Sequence, residues 1–271
     1  MQHLPGPASA DAPMGVFDSG IGGLSILRAL RHTLPHEDFI YVADTGYAPY
    51  GERDEDFVQA RAEHIAQDLI ERQGIKLLVV ACNTATAVAI QALRARWPHC
   101  PIVGVEPALK PAAASSQTQR VGVLATRGTL ASEKFAQLQA SIAGATDFVL
   151  QPCDGLAAAI EDGDSVRTSD LCERYVRALG ALGTQAGQID TLVLGCTHYA
   201  FAMNDFVRLV GPQVRILETG EPVARRARQL LQETQRLRSG PQAGRLTLHS
   251  SGDLPTLQAA AQRWLDGPQV A

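Results

Sequence analysis

Two cysteines stand where a thiol could do chemistry as well as pack. Cys82 ends the aliphatic run Leu77-Leu78-Val79-Val80-Ala81 and precedes Asn83-Thr84-Ala85-Thr86. Cys196 ends Leu192-Val193-Leu194-Gly195 and precedes Thr197-His198-Tyr199. Each stretch reads as a buried strand, a tight turn, then a helix whose first N–H groups lack partners and face the cysteine. Those N–H groups and the helix dipole favour a thiolate, which would draw a thiol pKa near about 8.5 toward neutrality. Two thiols at equivalent places in two strand-to-helix turns suggest a pair facing one site.

The residues alone leave several chemistries open. A redox pair usually comes as C-x-x-C, and no such spacing occurs. Cys196 could be the nucleophile of a hydrolase with His198 assisting, whereas Cys82 has no orienting histidine near it in sequence. An amino-acid binding module without catalysis is a further class. The fourth option uses the thiols symmetrically: one thiolate removes a proton from one face of a carbon, and the other thiol returns one to the opposite face. That is racemisation by two bases, and it requires no metal or organic cofactor. Cys100, Cys153 and Cys172 read as small buried hydrophobes.

The elements that must position these thiols alternate along the chain. Met14–Phe17 is a short strand running into Asp18-Ser19-Gly20-Ile21-Gly22-Gly23 and a helix from about Leu24. The glycines permit close backbone approach, but a P-loop lysine is missing and G-x-G-x-x-G is not matched, so phosphate binding is the weaker reading. Asp18 could equally cap the helix. Phe39–Val42 is a strand followed by a long turn through Pro49-Tyr50-Gly51 and a helix from about Asp54 to Gln73. Leu77–Ala81 leads to a helix over 84–96, and Pro101–Val105 is a fourth strand. After the polar connector Ser115–Gln119, strand-turn-helix units continue through Arg120–Leu124, Phe148–Leu150, helices over 155–161 and 169–182, then Leu192–Leu194 and a helix over 200–210. Val214–Leu217, a helix over 221–237, a strand near Leu246–Leu248 and a helix over 255–265 complete the chain. Such alternation predicts parallel sheets flanked by helices, with ligands at the carboxyl ends of the strands. Asp18, Tyr50, Cys82, Thr126 and Cys196 all fall there.

Composition narrows the class. The 271 residues suit one large α/β domain or two ordinary ones, with 45% hydrophobic and 19% charged residues. A net charge of −4 gives no footprint for nucleic acid. No apolar run approaches the roughly 20 residues that span a bilayer. Residues 1–13, rich in Ala and Pro, read as a disordered lead-in. Five widely spaced cysteines indicate neither a disulfide framework nor a zinc site, and point to a reducing cytoplasm.

Asp18-Ser19-Gly20 with Gly22-Gly23, Pro49-Tyr50-Gly51, Cys82-Asn83-Thr84-Ala85, Leu124-Ala125-Thr126-Arg127-Gly128-Thr129 and Gly195-Cys196-Thr197-His198 resemble, in order, the motifs of the cofactor-independent glutamate racemases. The resemblance implies two similar α/β domains with the site in the cleft between them: 14–100 plus 214–271 as the first domain and 101–213 inserted as the second. It implies Cys82 as the base acting on D-glutamate and Cys196 as the base acting on L-glutamate. Asp18 and His198 would be their polar assistants, and Glu161 a third. Ser19, Pro49, Tyr50, Gly51, Asn83, Thr84, Thr126 and Thr197 would contact substrate. It further implies no cofactor, and a role in supplying D-glutamate for peptidoglycan in the bacterial cytoplasm. A homodimer and activation by a cell-wall precursor are left open. Ala200 stands where the family usually has proline, and Glu218-Thr219-Gly220 where Asp-Ser-Gly is expected. Related aspartate racemases tend to show His at the place of Thr86, which favours glutamate. Chemically, donors from Ser19, Asn83, Thr84 and Thr197 would hold the α-carboxylate as charge builds up, and neutral donors near Tyr50-Gly51 and the Thr197 turn would reach the γ-carboxylate.

Overall fold

The computed structural model describes residues 9–142, 144 and 146–265. In chain order the elements are β1 (Met14–Asp18), α1 (Leu24–Thr33), β2 (Phe39–Ala43), α2 (Glu55–Gln67), β3 (Leu77–Val80), α3 (Asn83–Arg96), β4 (Ile102–Gly104) and α4 (Leu109–Ser115). Then follow β5 (Arg120–Ala125), α5 (Arg127–Ala131), α6 (Glu133–Ala140), β6 (Asp147–Pro152), α7 (Leu156–Glu161), α8 (Ser165–Ala178), β7 (Thr191–Leu194) and α9 (Met203–Val210). β8 (Arg215–Leu217), α10 (Gly220–Glu233), β9 (Leu246–Ser250) and α11 (Leu254–Leu265) close the fold. The helix expected over 54–73 ends as a wider π turn, Asp68–Arg72.

Among the described residues nine strands form two all-parallel sheets, ordered β4-β3-β1-β2-β9 and β6-β5-β7-β8. β1, β3 and β7 are buried along their whole length, as expected of strands covered by helices on both faces. Apart from the added β9, the two sheets have the same order. In each, the first strand sends its helix to one side for the next strand, and the chain then crosses back to its other side. That reversal opens a crevice at the carboxyl end, between β1 and β3 in one sheet and between β5 and β7 in the other. Asp18 and Cys82 border the first crevice; Thr126 and Cys196 border the second.

Strand pairing moves both expected domain junctions. Ile102–Gly104, assigned by sequence to the inserted domain, bonds to β3, with Leu78 N–H donating to Pro101 O at 3.0 Å. Arg215–Leu217, assigned to the first domain, bonds to β7, and Arg215 N–H donates to Asp190 O at 2.9 Å. Partner strands, not nearness in sequence, decide membership. The chain therefore passes to the second sheet through α4, whose Leu109 and Ala112 join the second core, and returns through α10, which packs on α1. The lead-in expected over 1–13 lies outside the described residues as far as residue 8. Residues 9–13 are tied down, Lys76 donating from its backbone to Pro13 O and from Nζ to Ala10 O.

Lys76 is wholly buried against Glu37, whose other oxygen accepts from Arg238 N–H at 2.8 Å. This pair pins the N-terminal segment and the chain after α10 beneath the first sheet, far from its carboxyl ends. Removing one member strands the other charge. Lys76→Met should therefore cost about 3–5 kcal/mol, while Lys76→Met with Glu37→Leu recovers most of it. Urea unfolding checks this; a single variant within about 1 kcal/mol of the parent would show the pair to be dispensable.

Candidate active site

The carboxyl ends of the two sheets face each other across a cleft of about 170 Å³. That is below the roughly 300–1,000 Å³ common for drug-sized ligands and suits a small molecule. Ser19, Pro49, Tyr50, Gly51, Cys82, Asn83, Thr84, Thr126, Glu161, Cys196, Thr197 and His198 all line it. Asp18 stands behind this lining with no exposed surface.

Cys82 is the N-cap of α3, and Ala85 N–H donates to its sulfur at 3.4 Å. Its thiol also reaches Ser19 Oγ at 3.8 Å. The expected drop in its pKa does not occur. Burial, then the neighbouring Asp18 charge, push the Cys82 thiol well above its usual range, outweighing the Ala85 N–H and Ser19. Asp18 Oδ2 accepts from Gly23 N–H at 2.7 Å, the residue before α1, but no side chain caps α1 itself, so the capping expectation is not met. Its Oδ1 has no hydrogen-bond partner among the described residues. Burial pushes Asp18 up to about 6, against the opposing pull of His198 and Gly23.

Cys196 is built differently. The segment after it is a 3-10 turn, Thr197–Ala202, before α9 begins at Met203. Tyr199 N–H donates to the Cys196 carbonyl at 3.1 Å, and no side-chain cap forms on the sulfur. The tighter turn has consumed the N–H that an α-helix would have offered to the thiol. His198 takes its place, with Nδ1 3.8 Å from Cys196 Sγ and Nε2 2.6 Å from Glu161 Oε2. Burial alone would push this imidazole down; Cys196 on one nitrogen and Glu161 on the other outweigh it, and the net shift is well upward. Glu161, at the end of α7, also accepts from Ile21 N–H at 3.0 and 3.1 Å, so its carboxylate joins the two lobes.

The glycine loop makes room for this pair. A Cβ at Gly20 would lie 2.3 Å from Glu161 Oε2, and one at Gly22 would lie 2.3 Å from His198 Nδ1. Thr84 and Thr126, from opposite lobes, share hydroxyls at 3.0 Å, and Thr126 donates to Thr129 at 2.9 Å. Thr129 was not singled out by sequence, although it lies in the same turn motif. Tyr50 differs from expectation, for its hydroxyl is committed as a donor to Asp44 at 2.5 Å. Asp44 is also held bidentately by Arg61 at 2.8 and 2.9 Å. Thr86 is buried and ties the end of β3 to Val105, away from the cleft. Among the described residues no cluster of three or more His, Cys, Asp or Glu is placed to hold a metal, and no helix is long and apolar enough to cross a membrane.

Comparison with known proteins gives one answer. Residues 24–227 match the family model described as Asp/Glu/Hydantoin racemase. The chain is 47% identical over 247 residues to a glutamate racemase of Pseudomonas syringae pathovar tomato, covering 90% of this chain and 87% of that one. A glutamate racemase isoform of Bacillus anthracis superposes with a TM-score of 0.81 at 27% identity, covering 94% of each chain. The Escherichia coli glutamate racemase in complex with L-glutamate and the activator UDP-MurNAc-Ala superposes with a TM-score of 0.79 at 34% identity, covering 93% of this chain and 95% of that one.

The elevated Asp18 has a consequence for stability. Its folded pKa of about 6 lies above the ordinary value near 3.9, so the folded state holds this proton more tightly than the unfolded chain does. Its contribution is intact below about pH 4 and is lost as pH rises through about 6. Asp18→Asn should thus stabilise the protein by roughly 3 kcal/mol at pH 8 and change little at pH 4. Urea titrations of both proteins at the two pH values test this. A variant no more stable at pH 8 than at pH 4, relative to the parent, would count against a buried carboxylate under strain.

Proposed function

The chain belongs to the Asp/Glu/Hydantoin racemase family, and we propose that this member interconverts L- and D-glutamate with two thiols, without metal or organic cofactor. In this reading it supplies D-glutamate for peptidoglycan in the cytoplasm. The observation that carries the reading is the placing of one thiol at the crevice of each sheet, each backed by its own acid–base partner, on the walls of one cleft.

The two thiols have different proton partners. His198, raised well above its usual range, stands with Nδ1 against the Cys196 sulfur and is the group that takes up its proton, so Cys196 acts as the base toward L-glutamate. Cys82 keeps its proton beside an ionised Asp18. L-glutamate then gives its Cα proton to Cys196, the electron pair remains on carbon, and Cys82 delivers its proton to the opposite face. From D-glutamate the path reverses. Asp18, with its free Oδ1, takes the Cys82 proton, and His198 gives its Nδ1 proton to the Cys196 sulfur, so that Cys82 is the base and Cys196 the acid. Cys82 and Asp18 share one proton, so their ionisations belong to the pair. Ser19, Asn83, Thr84 and Thr197 supply donors to the α-carboxylate as charge develops. At the far end Tyr50 cannot donate from its hydroxyl. The backbone N–H groups of Tyr50 and Gly51 make no hydrogen bond among the described residues and are left for the γ-carboxylate.

Enantiomers have equal free energies, so kcat/KM must be equal in the two directions, and the unlike thiols reveal themselves in kcat and KM separately. In D₂O, newly formed product should carry deuterium at Cα while unreacted substrate stays largely unlabelled. Cys82→Ser and Cys196→Ser should each lower racemisation in both directions by about 10²–10⁴-fold, since every turnover uses both groups. Near-normal racemisation by either variant would sink the two-thiol reading. A burst of acyl-enzyme from amides or esters would instead support a cysteine hydrolase.

Substrate length offers a separate check. Aspartate, one methylene shorter, would leave donors near Tyr50-Gly51 unpaired, a larger loss than that of the methylene alone. Its kcat/KM should fall far below that of glutamate; comparable values would point to an aspartate racemase.

A further inference from the structure

We propose that Arg127 is the cation that draws the anionic amino acid into the cleft, and that Asp154 competes with substrate for it. This rests on the glutamate reading above. Arg127 is the first residue of α5, and its Nη2 lies 2.5 Å from Asp154 Oδ2. Both side chains are largely exposed, at 65% and 47%, and both border the cleft. The charge around them is unfavourable to glutamate. Glu52, Asp154, Glu161 and Asp162 line the cleft, against only Arg127 and His198. His198 is already held between Glu161 and Cys196. Arg127 is therefore the one guanidinium or ammonium lining the cleft, among the described residues, that can turn toward an entering carboxylate.

The pair is built to exchange. An exposed Arg–Asp contact contributes little, so replacing Asp154 by a substrate carboxylate costs little, and the guanidinium fork suits a carboxylate. The surrounding backbone is fixed on both sides. Thr126 caps α5 by accepting from Thr129 N–H at 3.2 Å, and Tyr175 donates its hydroxyl to Asp154 O at 2.6 Å. The Arg127 side chain can thus swing while the Asp154 carboxylate stays at the mouth, available to recapture it when product leaves. Attraction of this kind acts through the field in the cleft and weakens with salt.

Steady-state racemisation of glutamate, measured from about 0.01 M to about 0.5 M ionic strength, tests the proposal. Wild-type KM should rise with salt. Arg127→Gln should raise KM about tenfold at low salt and flatten the salt dependence, with the change falling on KM and not on kcat. Arg127→Lys should recover most of the effect, and Asp154→Asn should lower KM. Arg263→Gln, the same change in net charge on the exposed side of α11, should leave KM as it was. An unmoved KM in Arg127→Gln, a loss confined to kcat, or an Asp154→Asn variant impaired like Arg127→Gln would each overturn the role given to Arg127. The last would mean that the pair only shapes the mouth. Absence of wild-type glutamate turnover would overturn the activity reading itself, whereas turnover with an unmoved Arg127→Gln overturns only this proposal.

Discussion

The carboxylate of Glu161 holds the site together. It is carried by α7 of the second lobe, yet it accepts from Ile21 N–H in the first lobe and from His198 at 2.6 Å. That one group bridges the lobes, fixes the imidazole and, through it, addresses Cys196. It can do so only because residues 20 and 22 have no side chains, since a Cβ at either would occupy the space of the carboxylate or the ring. The glycine loop, the acidic residue and the histidine are one device, although they are far apart in sequence.

Topology explains why two thiols meet at all. Each sheet reverses its winding direction beside its first strand, and each reversal opens a crevice at the carboxyl ends. Two sheets of the same order, set with those ends facing, bring two equivalent turns onto one cavity. The local structures then diverge. An α-helix begins directly after Cys82 and donates to its sulfur, whereas a 3-10 turn after Cys196 withholds that donor and His198 replaces it. Similar folds thus give unlike thiols.

Much of this was legible in the sequence because strand-turn-helix patterns are local. The buried runs before Cys82 and Cys196, the polar turn after Asp18 and the alternation of elements are all set by neighbouring residues. What was not legible depends on partners distant along the chain. The pairing of Ile102–Gly104 with β3 and of Arg215–Leu217 with β7 moved both domain junctions. The upward shift of Cys82 comes from burial and from Asp18, sixty-four residues earlier in the chain, which outweigh the helix effect that the local sequence announces. The Tyr50 hydroxyl is spent on Asp44, whose other partner Arg61 arrives from the next helix. The same limit hid Arg127 and Asp154, which flank separate strands and meet only at the cleft mouth.

The unlikeness of the thiols is what the two-base reading proposed above requires. Two thiolates could not protonate the carbanion, and two thiols could not form it, so the pair must rest with a single proton between them. Were the surroundings equivalent, both arrangements of that proton would be equally populated and half the protein would face either enantiomer in the wrong state. Burial with Asp18 holds the proton on Cys82, and His198 stands 3.8 Å from the Cys196 sulfur as its proton partner in that proposal. The arrangement has a cost. Asp18 is a buried carboxyl lifted to about 6, with one oxygen lacking any partner among the described residues. A carboxyl left so poorly solvated is a poor stabiliser of the fold, and for the same reason it suits the role proposed for it, acceptor of the proton that Cys82 would release to act as a base.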